Sequence, residues 1–386
     1  MSYFILPTRV SCLLLPTSGF PTSYFVLLLC QPQTSHILLP TSDFRLYFRT
    51  AFMKVYYSID TIPAFQKAVV TIGTFDGVHT GHKSILEQLK REAVRIGGET
   101  VIITFHPHPR KVIVTGQPGI QLINTIDEKI ELLHKNGINH LVVVPFTDTF
   151  AQQSPEAYIE QFLVEKFHPH TVIIGYDHRF GKNRKGDFKL LEEYSARLGF
   201  NLMEIPAHVI NDNTVSSTRI REAVLQGNIE RSNTLLGYDF FFEGTVVDGN
   251  KLGRTLGYPT ANLHIEHEEK LIPGNGIYAV EAEIRSRKSE VGSQKSENSL
   301  ESSDLRPQTS DLMQGMMSIG IRPTIGGTDR VIEVNIFDFN EDIYGATLRV
   351  YVKKYLRPEV KFNGLDALVE QLAKDKEDTL RVLGAN

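Results

Sequence analysis

Short β-branched runs alternate with amphipathic stretches between about residues 54 and 235, and this alternation restricts the possible folds more than any other feature. The runs are AVVTIG, TVIITF, HLVVVPF, TVIIG and NLMEIP. The clearest stretch between them, GHKSILEQLKREAVRIG, carries apolar residues at helical spacing, namely Ile85, Leu89, Ala93 and Ile96. Strands and helices in steady alternation predict a parallel sheet covered on both faces. Such sheets bind ligands beyond the carboxyl ends of their strands.

Glycine, histidine, hydroxyl-bearing and basic residues cluster just after these predicted strands. The segments, in chain order, are GTFDGVHTGH, HPHPR, DTFAQQ, YDHRFGKNRKGD and NTVSSTRIR. In the first segment glycines allow the backbone to approach a ligand closely, and His79 and His82 stand where a helix begins. We interpret this segment as a cradle for phosphate. The alternatives are an ordinary helix start with incidental histidines and a metal-binding pair, for which the segment has no third ligand.

The SSTRIR segment places three hydroxyl groups and two guanidinium groups where the last helix of this half should start. Such groups at a helix N-terminus suit the distal phosphates of a nucleotide. The alternative is an ordinary serine or threonine cap with surface arginines. In the same way, GKNRKGD is also typical of a solvated loop, and HPHPR of a stiff turn set by its two prolines.

The pattern changes to strands alone near residue 236. The strands are expected at FFFEGTVVDG, TANLHI, GIYAVEAEI, MMSIGIRPT, RVIEVNIFDF and TLRVYVKKYLR, joined by turns that contain glycine or proline. This number and spacing predict a small closed barrel. Residues 364–383 then predict an amphipathic helix that covers the hydrophobic end of the barrel. Its apolar face is expected to consist of Leu365, Leu368, Val369 and Leu372.

The stretch GTVVDGNKLGRTLGYPTANL carries most of the chemically useful residues of this second half. Gly249, Gly253 and Arg254 predict a flexible loop suited to covering phosphates. Thr260 and Asn262 offer neutral oxygen ligands for a hard cation. The stretch contains no Walker pattern. A plain turn at PTAN is the alternative.

These motifs resemble those of a known family. HTGH and SSTRIR are similar to the HxGH and (I/V)SSTxIR signatures of the nucleotidyltransferase superfamily. Together, GTFDGVHTGH, FHPHPR and GYDHRFGKNRKGD resemble the FMN adenylyltransferase module of bacterial bifunctional riboflavin kinase/FAD synthetases. The barrel stretch resembles the riboflavin kinase signature G(x)nGRxLGxPTAN, and IEVNIFDF followed by IYG resembles the strand with the family's catalytic glutamate. The chain departs from the family at His178, where Phe is usual, and at Asn335, where many relatives have His.

The resemblance covers the chain from Met53 onward except for a tract at 286–312, and it implies a fold of class α/β in two domains. Residues 53–235 would form a Rossmann-like nucleotidyltransferase domain with a parallel sheet. Residues 236–386 would form a small antiparallel β-barrel domain, riboflavin kinase-like, with a C-terminal helix. The barrel would phosphorylate riboflavin to FMN with ATP and Mg²⁺. The first domain would then transfer AMP from a second ATP to FMN, giving FAD and pyrophosphate.

The resemblance also assigns roles to individual residues. His79 and His82 would stabilise charge on the α-phosphate of ATP in the adenylyl step. The residues expected to bind the nucleotide in this step are Gly73, Phe75, Asp76, Gly77, Gly81, Asp177, Arg179, Ser217, Thr218 and Arg221.

In the kinase step, Glu333 would accept the proton of the riboflavin 5′-hydroxyl; without the resemblance it reads as a solvent-facing strand residue. Thr260 and Asn262 would hold Mg²⁺ and the ATP phosphates. The residues expected to contact the phosphates are Gly249, Gly253, Arg254, Thr260 and Asn262. Arg357 would border the flavin.

Residues 1–52 differ in composition from the rest of the chain. They contain four charged side chains and both cysteines, and five prolines interrupt their apolar runs. None of these runs approaches the roughly 20 residues of a membrane helix. A signal peptide is one alternative, although only Arg9 precedes the apolar stretch and no clear cleavage site follows. We expect an extension that is non-native or disordered, and both Met1 and Met53 are candidate starts.

The tract at 286–312 is rich in Ser, Glu and Lys and shares the PQTS sequence with the N-terminal segment. TSDFR at 41–45 can be encoded by DNA whose reverse complement translates as SEVGS, found at 289–293. We hypothesise one DNA repeat read on opposite strands, which the codons of the gene would test. The position of the tract predicts a long hairpin turn, which should cost only about 1–2 kcal/mol in loop closure.

Charge and cysteine content exclude some functional classes. The chain has 41 Lys and Arg against 45 Asp and Glu, a net charge of −4, which argues against a protein that coats nucleic acid. No cysteine follows Met53, so a disulfide scaffold and a cysteine-ligated zinc site are excluded there. We expect a cytoplasmic monomer or weak oligomer without nucleic-acid or membrane partners. The alternatives are a nucleotidyltransferase for another phosphorylated substrate and a flavin-binding protein without catalysis.

Overall fold

The computed structural model describes residues 11–16, 24–29, 53–113, 119–206, 215–249, 252–286, 312–324 and 327–384. The chain divides into two units, Met1–Thr50 and Ala51–Asn386. In the first unit, β1 (Ser11–Pro16) and β2 (Tyr24–Leu29) pair as an antiparallel ribbon. A two-stranded ribbon alone is marginally stable at best. The expectation that residues 1–52 form an extension without their own fold therefore stays a prediction.

The second unit begins with a parallel sheet of six strands. They are β3 (Lys54–Tyr56), β4 (Val69–Ile72), β5 (Thr100–His106), β6 (His140–Pro145), β7 (Thr171–Gly175) and β8 (Asn201–Ile205). The order β3-β6-β5-β4-β7-β8 places β5 and β7 on opposite sides of β4. The carboxyl end of β4 is therefore the switch point at which sheets of this type bind ligands. The predicted parallel sheet is confirmed, but the short edge strand β3 was not foreseen.

Helices cover both faces of this sheet. They are α1 (Thr80–Ile96), α2 (Pro109–Ile113), α3 (Ile126–Lys135), α4 (Asp148–Ala151), α5 (Pro155–Ala157), a π-helical segment (Tyr158–Val164), α6 (Glu165–Phe167), a 3₁₀ turn (Lys182–Arg184), α7 (Phe188–Leu198), α8 (Ser217–Leu225) and α9 (Ile229–Leu236). Alternate side chains of the central strands enter two separate apolar clusters, as a sheet buried on both faces requires. Helix α1 ends at Gly97, whose backbone is in the left-handed conformation. Helix α3 begins with a capping box formed by Thr125 and Glu128.

Six antiparallel strands then close into the predicted barrel. They are β9 (Phe241–Val247), β10 (Ala261–His264), β11 (Gly276–Ser286), β12 (Met313–Thr324), β13 (Gly327–Ile336) and β14 (Thr347–Arg357), in the order β10-β13-β12-β11-β14-β9. A short helix α10 (Leu252–Thr255) lies between β9 and β10, and α11 (Leu365–Leu383) follows β14. Residues 287–311 lie outside the described residues. Since β11 and β12 pair directly, from Gly276 with Ile319 to Ala282 with Met313, this tract joins neighbouring antiparallel strands.

The C-terminal helix forms as expected but does not pack as expected. It contacts β11, β12 and β14, and none of its described residues belongs to the apolar cluster that fills the barrel. Leu365 is 57% exposed, whereas the buried positions are Asp375, Thr379 and Leu383. The predicted apolar face is wrong at Leu365, whereas Leu368, Val369 and Leu372 are half-buried. An ion pair of Asp375 with Arg357 also fastens the helix to the end of β14.

Across the described ranges of the chain, no helix combines the length and the apolar character needed to span a bilayer.

Candidate functional site

The loop between β4 and α1 holds the first group of predicted residues, and its backbone is strained. Phe75 and Val78 have positive φ angles of 46° and 35°, a region that glycine adopts without cost. Val78 is β-branched, so only the surrounding structure can impose this conformation. Gly77 also has a positive φ angle, of 90°. A Cβ on Gly73 would lie 3.1 Å from the Phe75 ring. The strain therefore lies at the switch point of the sheet.

His79 and His82, on either side of the buried Gly81, stack with their ring centroids 3.7 Å apart. His79 caps α1, because its Nδ1 accepts a hydrogen bond from the backbone N–H of His82 at 3.3 Å. A neutral ring that accepts at Nδ1 carries its proton on Nε2 and can donate there to a ligand. The Nδ1 atom of His82 is buried and has no hydrogen-bond partner among the described residues.

Burial sets the charge of both rings. It lowers the pKa of His79 to about 4, although Asp76 opposes the shift, and it lowers the pKa of His82 well below the usual range. Both imidazoles are therefore neutral at neutral pH. They offer hydrogen bonds to a phosphate without adding positive charge.

Asp76 is 1% exposed and joins three segments. Its Oδ1 accepts from the backbone N–H groups of Ile123 and Asn124 at 3.0 and 3.3 Å, and its Oδ2 accepts from Arg221 at 2.5 Å. Its carbonyl oxygen accepts from the Ser217 hydroxyl at 2.9 Å. Protein groups thus already engage this carboxylate. Its visible effect is to fix the loop after β4 against α8 and the segment before α3.

The start of α8 brings SSTRIR to the same edge of the sheet. Ser216 caps the helix, and Thr218 is exposed in its first turn. Arg221 is turned inward, where its Nε donates to the carbonyl oxygen of Gln121 at 2.7 Å in addition to its ion pair with Asp76. Burial lowers the pKa of Arg221, and Asp76 counteracts this. Of the hydroxyl and guanidinium groups of this motif, those of Ser217 and Arg221 therefore contact the β4–α1 loop.

The loop after β7 borders this cradle, since β7 is the direct neighbour of β4. Asp177 and Arg179 are exposed there, and Arg179 forms an ion pair at 3.0 Å with Asp187, the N-cap of α7. His178 stacks against Phe180 with centroids 5.8 Å apart, and burial lowers its pKa to about 4. The unusual histidine thus behaves as a neutral aromatic residue.

The second group of predicted residues meets on two neighbouring strands of the barrel. Asn262 on β10 stands directly opposite Glu333 on β13. Directly opposite residues of an antiparallel pair project to the same face, with Cβ atoms about 5 Å apart. The register therefore places the predicted metal ligand beside the predicted base.

Two glycines bring the loop backbone onto this pair. A Cβ on Gly249 would lie 2.0 Å from Nδ2 of Asn262. A Cβ on Gly253 would lie 2.3 Å from the carbonyl oxygen of Tyr258 and 3.4 Å from Oγ1 of Thr260. Any side chain at Gly249 or Gly253 would therefore occupy the space beside the predicted metal ligands Asn262 and Thr260. Arg254, in α10, is exposed.

The donor set of this site fits Mg²⁺. Thr260 and Asn262 carry neutral oxygens, and Mg²⁺ commonly takes few protein ligands and keeps waters and substrate phosphates as the others. Among the residues with described positions, no three His, Cys, Asp or Glu side chains converge as a metal site. A site of this kind depends on the phosphates that the substrate brings.

Asn335 positions the PTAN segment. It lies two residues beyond Glu333 on the same face of β13 and is buried. Its Nδ2 donates to the carbonyl oxygen of Pro259 at 2.6 Å. The amide therefore attaches the segment that carries Thr260 and Asn262 to the strand that carries Glu333.

Arg357 has a structural partner. Its Nε and Nη2 donate to the two carboxylate oxygens of Asp375 at 2.8 and 2.6 Å, which fastens α11 to the end of β14. Gln371 also donates to Asp375, at 2.9 Å. The predicted contact of Arg357 with a flavin stays a prediction.

Comparison with known proteins agrees with this division into two sites. The family model described as FAD synthetase matches residues 61–219, and the one described as riboflavin kinase matches residues 236–383. The bifunctional riboflavin kinase/FMN adenylyltransferase of Listeria monocytogenes is 35% identical over 312 residues, which cover 81% of this chain and 91% of that protein. The chain belongs to the bifunctional riboflavin kinase/FMN adenylyltransferase family. The resemblance indicated by the motifs is thereby confirmed.

Other members of the family are similarly close. The Bacillus subtilis enzyme of the same name is 34% identical over 319 residues, covering 82% of this chain and 92% of that protein. A crystal structure described as a macrolide-efflux protein from Streptococcus pneumoniae is 29% identical, with a TM-score of 0.69. It covers 85% of this chain and 98% of that chain. We carry over only the fold from that structure.

Sequence reasoning missed three polar residues beside the predicted adenylyltransferase site: the buried Lys129 and Lys270, and the half-buried Tyr238. The hydroxyl of Tyr238 donates to the carbonyl oxygen of Gly77 at 2.7 Å and lies 3.2 Å from Oδ1 of Asn124. Only Lys129 had a local signal, since its spacing puts it on the apolar face of α3. The contacts of the other two join distant parts of the chain, which no local pattern reveals.

Lys270, from the barrel half, supports the loop that Asp76 binds. Its Nζ donates to Glu128 at 2.5 Å and to the carbonyl oxygen of Ile123 at 2.6 Å. The backbone on either side pairs as well, because Leu122 donates to the carbonyl of Glu269 at 2.6 Å and accepts from Leu271 at 2.8 Å. The segment before α3 is thus held by Asp76 on one side and by the barrel half on the other.

Proposed function

We propose that this chain makes FAD from riboflavin in two steps that each use ATP. The observation that carries this proposal is the presence of two separate groups of residues, the His79–His82 cradle and the Asn262–Glu333 pair, each inside the span of its own family model. We assign the adenylyltransferase domain to 53–235 and the kinase domain to 236–386. The low-complexity tract at 286–312 is an insertion in the latter.

In the kinase step, Glu333 removes the proton of the riboflavin 5′-hydroxyl as that oxygen attacks the γ-phosphate of ATP. The new O–P bond gives FMN, and ADP leaves with the bridging oxygen. Thr260 and Asn262 would hold Mg²⁺, which neutralises charge on the phosphates when bound. Gly249, Gly253 and Arg254 cover the phosphates from the loop side.

In the adenylyl step, an oxygen of the FMN phosphate attacks the α-phosphate of ATP, and pyrophosphate leaves. A phosphate is already a competent nucleophile, so the site needs to position and stabilise charge more than to move protons. Neutral His79 and His82 stabilise the α-phosphate as charge develops. Ser217, Thr218 and Arg221 hold the leaving pyrophosphate.

The remaining residues of this site shape the nucleotide pocket. Asp177 and Arg179 position the nucleotide from the loop after β7. The residues that allow its close approach along the β4–α1 loop are Gly73, Phe75, Asp76, Gly77 and Gly81. Asp76 acts by fixing the loop and Arg221, as its hydrogen bonds indicate.

Single substitutions in the full chain test the two-site assignment. His82→Ala should abolish FAD formation from FMN and leave riboflavin phosphorylation unchanged. Glu333→Ala should abolish FMN formation and leave FAD formation from supplied FMN unchanged. Both activities are measured by separating the flavins after incubation with ATP and Mg²⁺. Loss of both activities in either folded variant would show that the assignment is wrong.

We further propose that the protein acts in the cytoplasm on riboflavin, FMN, FAD and ATP, without a nucleic-acid or membrane partner. We propose that it works as a monomer or weak oligomer. Analytical ultracentrifugation with and without substrates would check this, and a stable higher oligomer would contradict it.

A further inference from the structure

Lys129 is a buried lysine in the first half of α3, and its place there is unusual. It is 6% exposed. Its spacing of three from Ile126 and four from Leu133 puts it on the apolar side of the helix. A buried ammonium group is normally paired, because leaving water costs it several kcal/mol. Yet among the described residues its ammonium group has no hydrogen bond and no ion pair within 4.0 Å, and it is not one of the fully enclosed polar atoms, so it keeps some contact with solvent.

The neighbours of Lys129 on that side of α3, Ile126 and Leu133, pack in the apolar cluster that contains Phe75 and Val78 of the β4–α1 loop. The electrostatics agree, because Asp76 acts on Lys129, and burial together with the charge of Lys129 lowers the pKa values of His82, His106 and His108. These residues come from the loop after β4, the first turn of α1 and the end of β5. Those three places meet only at the carboxyl edge of the sheet. The ammonium group therefore lies in the adenylyltransferase site.

A second polar group without a hydrogen-bond partner lies in the same place. Nδ1 of His82 is buried without a partner, and His82 is one of the groups that Lys129 affects. A polar atom that folding has enclosed without a partner, beside a largely buried cation that also has none, indicates a ligand that supplies both. The neighbouring carboxylate of Glu128 does not pair with Lys129, since it is already bonded to Lys270 and to the backbone N–H of Thr125.

The charge balance of the proposed reaction indicates which ligand group Lys129 binds. Neutral His79 and His82 attend the α-phosphate, and Arg221 with the α8 hydroxyls attends the pyrophosphate. The acceptor phosphate of FMN carries up to two negative charges and has no buried cation in that assignment. Of the other cations near His108, Arg221 is already assigned to the pyrophosphate, and Arg110 is exposed, so solvent weakens its effect.

We propose that Lys129 binds the phosphate group of the acceptor, FMN, in the adenylyl step. This inference rests on the proposed function. The ammonium donates to the phosphate and offsets the repulsion between two anionic substrates, so that the attacking oxygen can reach the α-phosphate. The folded enzyme without substrate retains the unpaired charge.

The test compares Lys129→Met and Lys129→Gln with a control on the same helix, Lys135→Met, which removes only an exposed ion pair with Glu131. FAD formation is measured over a range of FMN concentrations at saturating ATP, and over a range of ATP concentrations at saturating FMN. We expect both Lys129 variants to lose about 10- to 100-fold in kcat/KM for FMN, the effect of one charge-assisted hydrogen bond. The KM for ATP, riboflavin phosphorylation and all parameters of the control should change less than about twofold.

Thermal unfolding of the same proteins separates a binding role from a structural one. Removing an unpaired buried charge should leave the Tm of Lys129→Met equal to or above that of the unsubstituted enzyme. A lower Tm with loss of kinase activity in both variants would identify a structural lysine and overturn the proposal. Unchanged FMN kinetics, or a rise confined to the KM for ATP, would overturn it as well. If the unsubstituted chain made no FAD, the proposed function itself would fail.

Discussion

At the scale of single residues, burial decides which groups are charged. Burial lowers the pKa values of His79, His108 and His178 to about 4, whereas an unfolded chain titrates its histidines near 6.5. Between these values the unfolded chain binds protons that the folded chain does not. Stability contributed by the neutral rings is therefore present above about pH 6.5 and is lost as the pH falls toward about 4.

This linkage predicts a pH-dependent stability with a matched control. Lowering the pH from about 7 to about 5 should reduce the free energy of unfolding by up to about 2 kcal/mol for each of these rings, measured by urea denaturation. His178→Phe removes one of the titrating rings without touching the His79–His82 cradle, and its stability should depend less steeply on pH. Identical pH slopes for the variant and the unsubstituted protein would contradict the argument.

Arg357 allows a structural role to be separated from a binding role. Arg357→Ala leaves the buried carboxylate of Asp375 without its cation, so we expect a loss of about 3 kcal/mol in urea unfolding. Asp375→Asn together with Arg357→Ala should recover part of this loss, because no buried charge then remains. If Arg357 instead acts only on the flavin, its removal will raise the KM for riboflavin and leave stability unchanged.

At the scale of elements, strand register builds the kinase site. The pairing of β10 with β13 sets Asn262 opposite Glu333, and a slip of one residue would turn one of them to the other face of the sheet. Asn335 holds the PTAN segment in that register through the carbonyl of Pro259. The glycines of the neighbouring loop then leave room for phosphate beside these side chains.

Gly249→Ala tests this loop. The added methyl group would lie 2.0 Å from the Asn262 amide, so the loop or the amide must move. We expect riboflavin phosphorylation to fall by about tenfold or more, while FAD formation from supplied FMN stays unchanged. Gly119→Ala, at a position where a methyl group meets nothing within 4 Å, is the control. Full kinase activity in Gly249→Ala would show that the loop does not approach Asn262 during the reaction.

At the scale of the whole molecule, the barrel half supports the other active site. Lys270 binds Glu128 and the carbonyl of Ile123, while Asp76 binds the backbone of the same segment from the opposite side. Burial raises the pKa of Glu128, which Lys270 opposes. A residue of the barrel half therefore supports the segment beside the predicted adenylyltransferase site.

Lys270→Met should lower the free energy of unfolding by about 3 kcal/mol, since it leaves Glu128 buried without a cation. FAD formation should fall more than FMN formation, because the Asp76 loop loses its outer support. Lys354→Met removes an exposed ion pair with Glu230 and should change stability by less than about 1 kcal/mol. Equal effects of the two substitutions on FAD formation would contradict this support role.

The sequence alone determined the order of strands and helices, the barrel, and the membership of the family, because hydrophobic period and short motifs are local properties of a chain. It also indicated the two groups of candidate residues. Only the tertiary structure decided that Asp76 joins three segments, that Arg357 pairs with Asp375, and that Lys129 is buried. These facts depend on contacts between residues tens to hundreds of positions apart. Burial, and with it charge state, is set by such contacts and by no local pattern.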